Sequence, residues 1–174
     1  MTELQTFSPR LIEAWLAANQ FTHGTSEEGY VVPFGADGPG QPDMLLVISA
    51  EGTTGEILVV RSVFDRQYPV SRHVEMQALA DEWNRKFRFP KAVTGVEDDV
   101  TAVFGELQID LGGGTFPAQV ARQLGIGLAT ASGLRQWITE QTAEWDVPLL
   151  DESDIDAALA RLLAGEYDDP PAAA

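Results

Sequence analysis

A regular hydrophobic pattern in the middle of the chain predicts an amphipathic helix from about Arg72 to Phe87. Apolar side chains recur there at spacings of three and four residues, which places them on one buried stripe. The stripe consists of Met76, Leu79, Ala80, Trp83 and Phe87. Charged residues occupy the opposite face, and Pro90 ends the pattern because proline cannot continue a helix. We therefore expect one side of this helix to pack against a sheet.

Two strands are predicted after this helix, from Lys91 to Glu97 and from Val100 to Leu111, with a turn at Asp98 and Asp99. The second strand alternates, so successive side chains reach opposite faces. One face carries Val103, Gly105, Leu107 and Ile109, and the other carries Phe104, Glu106, Gln108 and Asp110. Phe104 is the aromatic residue of a polar face. It is a candidate partner-binding residue, and the alternative is a partly buried packing residue.

Two continuously apolar strands precede the helix, from Asp43 to Ala50 and from Glu56 to Phe64. They lack the alternation of a sheet with one solvated face, so both faces should be covered in the centre of the sheet. Helices can cover one face. The other must meet the C-terminal helices, a second copy of the chain or a partner, and the pattern does not choose among these.

The first and third helices complete the element order α-β-β-β-α-β-β-α. The first begins at Pro9 after a candidate cap at Ser8, and the strand region that follows, up to Phe34, bends near Thr25 to Glu28. A long helix runs from Pro117 to about Ala143. It contains three glycines, which we expect to let it approach the sheet closely: Gly125, Gly127 and Gly133.

The predicted architecture is α+β, a single domain over residues 1–164 with a twisted antiparallel sheet of about five strands and helices packed on it. A short last helix, capped by Ser153, carries the apolar residues Ile155, Leu159, Leu162 and Leu163. Residues 165–174 are acidic and rich in proline and alanine. We expect them to be a disordered tail.

The chain is acidic, with a net charge of −16 over 174 residues, and the charge is unevenly spread. From Thr139 onward there are ten acidic residues and one base, Arg161. This field repels phosphate backbones and anionic lipids, so we expect neither nucleic-acid nor membrane binding. The first eight residues lack a signal-peptide pattern, no apolar run could span a bilayer, and cysteine is absent. These features predict a cytoplasmic protein.

The opposite bias lies within residues 61–91, where basic residues outnumber acidic ones. Four of the bases gather at the end of the second helix: Arg85, Lys86, Arg88 and Lys91. Such a run is usually a solvated helix face. The alternative is a docking patch, so these four residues and Phe104 are our candidate partner-binding residues.

No group of residues has the composition and spacing of an active site. His23 and His73 lack neighbours at metal-ligand spacing. The glycines at 112–114 lack the residues that complete a phosphate-binding loop, and Ser132 lies in a predicted helix and not on a nucleophile elbow. We predict no catalytic residue, no metal and no cofactor.

A resemblance to a known family rests on the centre of the chain. The residues that carry it are Ala78-Leu79-Ala80-Asp81-Glu82-Trp83-Asn84-Arg85-Lys86-Phe87-Arg88-Phe89, Glu97-Asp98-Asp99-Val100, Phe104-Gly105-Glu106-Leu107 and Gly112-Gly113-Gly114. With the long helix after them, they resemble the YbjN family, in which a helix ending in a Leu-Asn type pair precedes a short hairpin and a glycine-marked turn. Here Trp83 stands before Asn84. The resemblance covers about residues 5–145.

The resemblance implies a fold similar to that of the type III secretion chaperones, in which helices pack on a twisted antiparallel sheet that commonly dimerises. Such chaperones are small, acidic and non-enzymatic, and they bind extended segments of other proteins. Members of the YbjN family are labelled sensory transduction regulators. We therefore expect a homodimeric protein-binding module, chaperone-like or a regulatory adaptor. The alternative is a small-ligand sensor or an enzyme built on carboxylates and arginines, with Arg61, Arg66 or Arg72 lining a pocket.

Overall fold

The computed structural model describes residues 3–26, 29–35, 42–97, 99–145 and 147. In chain order, its elements are α1 (Pro9–Ala18), β1 (Gly24–Ser26), β2 (Gly29–Phe34), β3 (Met44–Glu51), β4 (Ile57–Phe64), β5 (Tyr68–Pro69), α2 (His73–Lys86), β6 (Lys91–Glu97), β7 (Val100–Asp110) and α3 (Pro117–Gln141). A 3₁₀ turn, Val70–Arg72, precedes α2. The predicted last helix and acidic tail lie outside the described residues, as does the turn residue Asp98.

The strands form one antiparallel sheet in the order β1-β2-β3-β4-β7, and β6 pairs with the other side of β7. The short β5 pairs with the first residues of β7, on the side that β4 occupies further along. The predicted order of helices and long strands is confirmed. The prediction of about five strands counted the long ones, to which β1 and β5 add two short ones.

Helix ends differ from the prediction in detail. Ser8 stands at the N-cap of α1, but its side chain makes no capping hydrogen bond, and Pro9 is the first helical residue. The helix α2 ends at Lys86, and the next residue is already extended. Phe87 was predicted to lie in the buried stripe. This was wrong, because the ring lies beyond the last helical turn and is 44% exposed.

The three helices that the structure describes all pack on one face of the sheet, here called the inner face. Alternate strand residues reach it and join helix residues in one hydrophobic core, among them Leu46, Ile48, Leu58, Val60 and Leu107 with Ile12, Met76, Leu124 and Leu134. Each such side chain contributes about 1.5–3 kcal/mol when fully buried. The helix α3 lies close to the sheet at Gly127, where an added Cβ would be 3.2 Å from Cγ1 of Val60.

The opposite or outer face of the sheet is also buried at its centre. Six apolar residues there are at most 6% exposed, and none belongs to the core beneath the helices: Leu45, Val47, Val59, Val63, Ala102 and Phe104. The strands are therefore covered on both sides, as their apolar sequences predict. This burial is reached in a single chain, so an open face no longer argues for a homodimer, and the oligomeric state stays a prediction.

Candidate functional site

Two residues near the end of α2 anchor it to the start of β6. Trp83 Nε1 donates a hydrogen bond of 2.9 Å to the carbonyl oxygen of Pro90. Asn84 Nδ2 donates to the carbonyl oxygen of Ala92 at 2.8 Å, and the Ala92 amide donates to Asn84 Oδ1 at 2.9 Å. The connection formed by residues 87–90 is therefore fixed at both ends.

Three large apolar side chains are exposed in and next to this connection. Phe87 and Phe89 are each 44% exposed, and Val93 is 46% exposed. The ring of Phe87 packs on that of Trp83, with the centroids 4.1 Å apart, so it has a fixed orientation. Neighbouring exposed apolar side chains, aromatic ones above all, are typical of protein-binding surfaces.

Basic side chains surround these apolar residues. The four predicted in the sequence, Arg85, Lys86, Arg88 and Lys91, are all exposed. Lys86 forms an ion pair with Glu82 one turn earlier, and their hydrogen bond is the main cause of the lowered pKa of Glu82. The other three form no ion pair with any residue that the structure describes. We call Arg85, Phe87, Arg88, Phe89, Lys91 and Val93 the aromatic-basic surface.

Phe104, the remaining candidate, is not part of this surface. It is 3% exposed and lies on the outer face of the sheet between Val63 and Val93, its partners in register on β4 and β6. Its face was predicted correctly. Its burial leaves it little surface to offer a partner in the single chain, so the alternative of a packing residue describes it better.

The aromatic-basic surface borders one edge of the sheet. Among the described strands β6 pairs only with β7, so its second edge has no strand beside it. The amide of Asn84 occupies this edge at Ala92, and the backbone beyond it belongs to Thr94 and Val96, both half-buried. An unpaired strand edge can accept an extended peptide as an additional strand.

Sequence reasoning missed the apolar half of this surface. The helical period placed Phe87 in the core, and nothing distinguished Phe89 and Val93 from packing residues. A usable signal was present, however. The run Phe87-Arg88-Phe89-Pro90 places two aromatic residues in a short connection that proline separates from the strand.

The arginines of the alternative hypothesis do not converge. Arg61 lies on the outer face, where it forms ion pairs with Glu51 and Glu106, and its hydrogen bond is the main cause that lowers the pKa of Glu51. Arg72 is exposed, pairs with Glu75 and lies over the ring of Trp145. The three predicted arginines therefore do not form one pocket.

Arg66 lines a small cavity, together with Asp65 and Arg135. The cavity volume is about 10 Å³, which is room for about one water molecule. Arg135 fills its polar side by donating to both carboxylate oxygens of Asp65, at 3.2 and 2.8 Å. This arrangement joins α3 to the end of β4 and leaves no space for a substrate.

A larger groove of about 460 Å³ lies between α1 and α3. Alanines and other apolar residues line most of it, and Asn19 adds a side-chain amide. With no titratable group in its lining, the groove lacks the side chains for acid–base or nucleophilic chemistry. Within the described part of the chain, no three His, Cys, Asp or Glu residues are placed to hold a metal ion. No helix there has the length and apolar character needed to cross a membrane.

Comparisons with known proteins agree with the resemblance seen in the sequence. The family model YbjN, "Putative bacterial sensory transduction regulator", matches residues 8–140. Among solved structures, one similar chain is that of "YbjN, a putative transcription regulator from E. coli". It has 12% sequence identity and a TM-score of 0.63, and the match covers 84% of this chain and 99% of that one. No curated protein matches the sequence.

Proposed function

This chain belongs to the YbjN family, and we propose that it is a cytoplasmic, non-enzymatic regulatory module that binds an extended acidic segment of a partner protein. The family description supports a regulatory role. The lack of cysteine fits a reducing compartment. The aromatic-basic surface is the site that we assign to the partner.

A single observation carries the proposal. Around the start of β6, exposed rings lie beside cations that form no ion pair with any described residue, and no described strand pairs with the edge of β6 beyond Ala92. Phe87 and Phe89 supply apolar area, and Arg85, Arg88 and Lys91 supply positive charge. Arginine and aromatic side chains are enriched among residues that dominate binding energy. The open edge adds backbone hydrogen-bonding groups.

The charge of the chain favours an acidic partner at this surface. The protein as a whole carries −16, so its general field repels acidic ligands, and only a local group of cations can attract them. An acidic segment with apolar residues at alternate positions would match cations, rings and strand edge together. The same pattern distinguishes the partner from neutral peptides, which the cations would not favour.

The E. coli neighbour is named as a transcription regulator. We propose that the present chain acts through protein contacts and not by binding nucleic acid. A phosphate backbone requires many neutralising cations, and its binding weakens steeply with salt. The surface offers three cations that form no ion pair within the described residues, on a chain of net charge −16, and so few cations would neutralise little of a phosphate backbone.

The test uses fluorescence anisotropy with a short labelled peptide of alternating acidic and apolar residues. The variant R85E/R88E should weaken binding about tenfold or more, equivalent to about 1.4 kcal/mol. The matched control R10E/R122E makes the same change of charge at two exposed positions elsewhere. It should bind as the unmodified protein does. Equal affinity of both double variants would show that the surface is not the binding site.

Two further probes separate the possible ligands. A peptide with the same acids but no apolar residues tests the contribution of Phe87 and Phe89, and F89S should lose affinity only for the apolar version. A labelled oligonucleotide tests nucleic acid as the ligand, and we expect no binding at physiological salt. Tight oligonucleotide binding that R85E/R88E removes would contradict the proposal.

A further inference from the structure

The free edge of β6 offers hydrogen-bonding groups at two residues beyond Ala92. Residues of an antiparallel strand turn their backbone groups alternately to one side and to the other. Ala92 turns its groups away from β7, because its amide and its carbonyl oxygen both bond to the Asn84 side chain. By alternation Thr94 and Val96 also face the free edge, and no described residue hydrogen-bonds their outward groups. An added strand can therefore pair with β6 at these two residues.

The helix α2 closes one end of this edge. At the start of the helix, His73 Nδ1 lies 2.9 Å from Thr101 Oγ1 on β7. Near the end of the helix, the Asn84 side chain reaches the free edge of β6 at Ala92. The helix thus passes from β7 across β6 to the edge, and the Asn84 amide occupies the position where an added strand would pair next. An added strand cannot continue along the edge there, and we call this the blocked end.

Charge is distributed unequally along the same edge. Arg85, Arg88 and Lys91 are exposed and adjoin the blocked end in sequence. At its other end β6 leads into Glu97-Asp98-Asp99, which carries three acidic residues. A bound acidic segment is therefore attracted with its negative charges at the blocked end and repelled in the opposite placement.

The direction of pairing decides which end of the bound segment reaches the blocked end. All strand pairs of the described sheet are antiparallel, and antiparallel pairs are slightly more stable per residue than parallel ones. The strand β6 begins at the blocked end. An antiparallel partner runs the other way, so its last residues arrive beside the three cations. A chain that terminates there needs no continuation, and its terminal carboxylate adds a negative charge where the cations lie.

We propose that the aromatic-basic surface captures the C-terminal end of a partner protein. The inference rests on the proposed function and adds the direction of the bound segment and its free terminus. The last residues of the partner pair with Val96 and Thr94 as an antiparallel strand, and the terminal carboxylate lies among the three cations. Asn84 stops the added strand at Ala92. It is therefore a positioning residue that sets the register of the bound segment.

Variation of the peptide tests the proposal without changing the protein. The reference is a peptide of alternating acidic and apolar residues, labelled at its N-terminus and ending in a free carboxylate. Fluorescence anisotropy measures its binding to the full-length chain. Amidation of the carboxylate should weaken binding about fivefold, the upper range for an exposed ion pair.

A matched pair of extended peptides tests the blocked end. A short glycine-serine extension after the last residue should weaken binding about fivefold or more, whereas the same extension before the first residue should leave the affinity unchanged. Equal affinity of the two extended peptides would overturn the proposal. A loss of affinity only on N-terminal extension would indicate a parallel partner and would overturn it as well.

A comparison with R85E/R88E separates this inference from the proposed function. The double variant should weaken the free-carboxylate peptide at least about threefold more than the amidated one, because only the former loses an ion pair at its terminus. If both peptides lost affinity by the same factor, the terminus would not be recognised, and the proposed function would stand without this inference. If neither peptide lost affinity, both would fail.

Amide hydrogen exchange measures the strand pairing itself. The reference peptide should slow the exchange of the Thr94 and Val96 amides several-fold, because these groups gain hydrogen bonds. The amides of Val93 and Gly95 face β7 by alternation and serve as the internal reference, with a smaller change. Unchanged exchange at Thr94 and Val96 in the presence of saturating peptide would overturn the addition of a strand at this edge.

Discussion

Asn84 pairs with Ala92 in the way one β-strand pairs with another, because its side-chain amide both donates to and accepts from the backbone of Ala92. The amide satisfies the backbone groups that Ala92 presents at the free edge of β6. It also fixes the distance between α2 and β6. Phe87 and Phe89 lie in the connection between these two elements. The contact between Asn84 and Ala92 therefore fixes the positions between which their exposed rings are held.

The first prediction concerns removal of this amide. N84A leaves the backbone groups of the buried Ala92 without partners, so the free energy of unfolding should fall by about 1–3 kcal/mol. N84D should cost at least as much, because a carboxylate oxygen would then face the carbonyl of Ala92. Urea unfolding measures both. The control Q136A, on the exposed side of α3, should stay within about 0.5 kcal/mol, and an N84D variant as stable as the parent would refute the assignment.

A second prediction concerns the ion pair between the buried Asp65 and the partly exposed Arg135. Asp65 is 6% exposed and accepts two hydrogen bonds from the guanidinium group. Removing one partner leaves a buried charge unpaired, so R135A should lower the free energy of unfolding by about 3–5 kcal/mol. D65A/R135A should cost less than the two single changes added together, since neither charge remains. If chemical denaturation showed that the losses in free energy of unfolding of D65A and R135A add up to that of D65A/R135A, the two groups would not interact.

The sequence predicted the order of elements because its signals there are local. Pro90 separates α2 from β6, and the apolar runs of β3 and β4 have no competing helical period. Phe87 was misplaced for the same reason, since the stripe of α2 continues through it at the correct spacing although the helix ends at Lys86. The strand β5, of two residues, is too short to show any period, whereas the bend predicted near Thr25 to Glu28 separates β1 from its antiparallel partner β2.

Burial by distant parts of the chain could not be predicted in this way. Alternation placed Phe104 on the correct face of β7, but its exposure depends on what covers that face, which is a long-range property. The candidate cations were found because charge is visible in the sequence. Their apolar neighbours, Phe89 and Val93, were not found, since an aromatic or branched residue has the same appearance in a core as on a surface.

A third prediction concerns stability in acid. Arg61 holds the pKa of Glu51 below its ordinary range, mainly through a hydrogen bond. Because the pKa is lower in the folded state than in the unfolded one, this contribution is present above the unfolded value of about 4.3. It is lost as the pH falls through the folded value. The parent should therefore lose more stability than E51Q between about pH 5 and pH 3.

Urea midpoints across this range measure the effect. E140Q provides the control, because it removes an exposed carboxylate from α3 without touching Arg61. Its pH dependence should follow that of the parent. If the urea midpoints of E51Q and E140Q changed with pH in the same way, the Arg61–Glu51 pair would make no measurable contribution to the loss of stability in acid.

The last prediction separates two glycines of α3 that have the same helix propensity and different surroundings. Gly125 has no atom within 4 Å of an added Cβ, whereas at Gly127 the added Cβ would lie 3.2 Å from Val60 Cγ1 and 3.4 Å from Leu107 Cδ2. G125A should raise the free energy of unfolding by up to about 1 kcal/mol, the propensity difference between the two residues. G127V should lower it by about 1–3 kcal/mol, because the larger side chain forces α3 away from the sheet. Thermal or urea unfolding checks both, and a G127V chain as stable as the parent would show that close packing of α3 on Val60 does not require glycine.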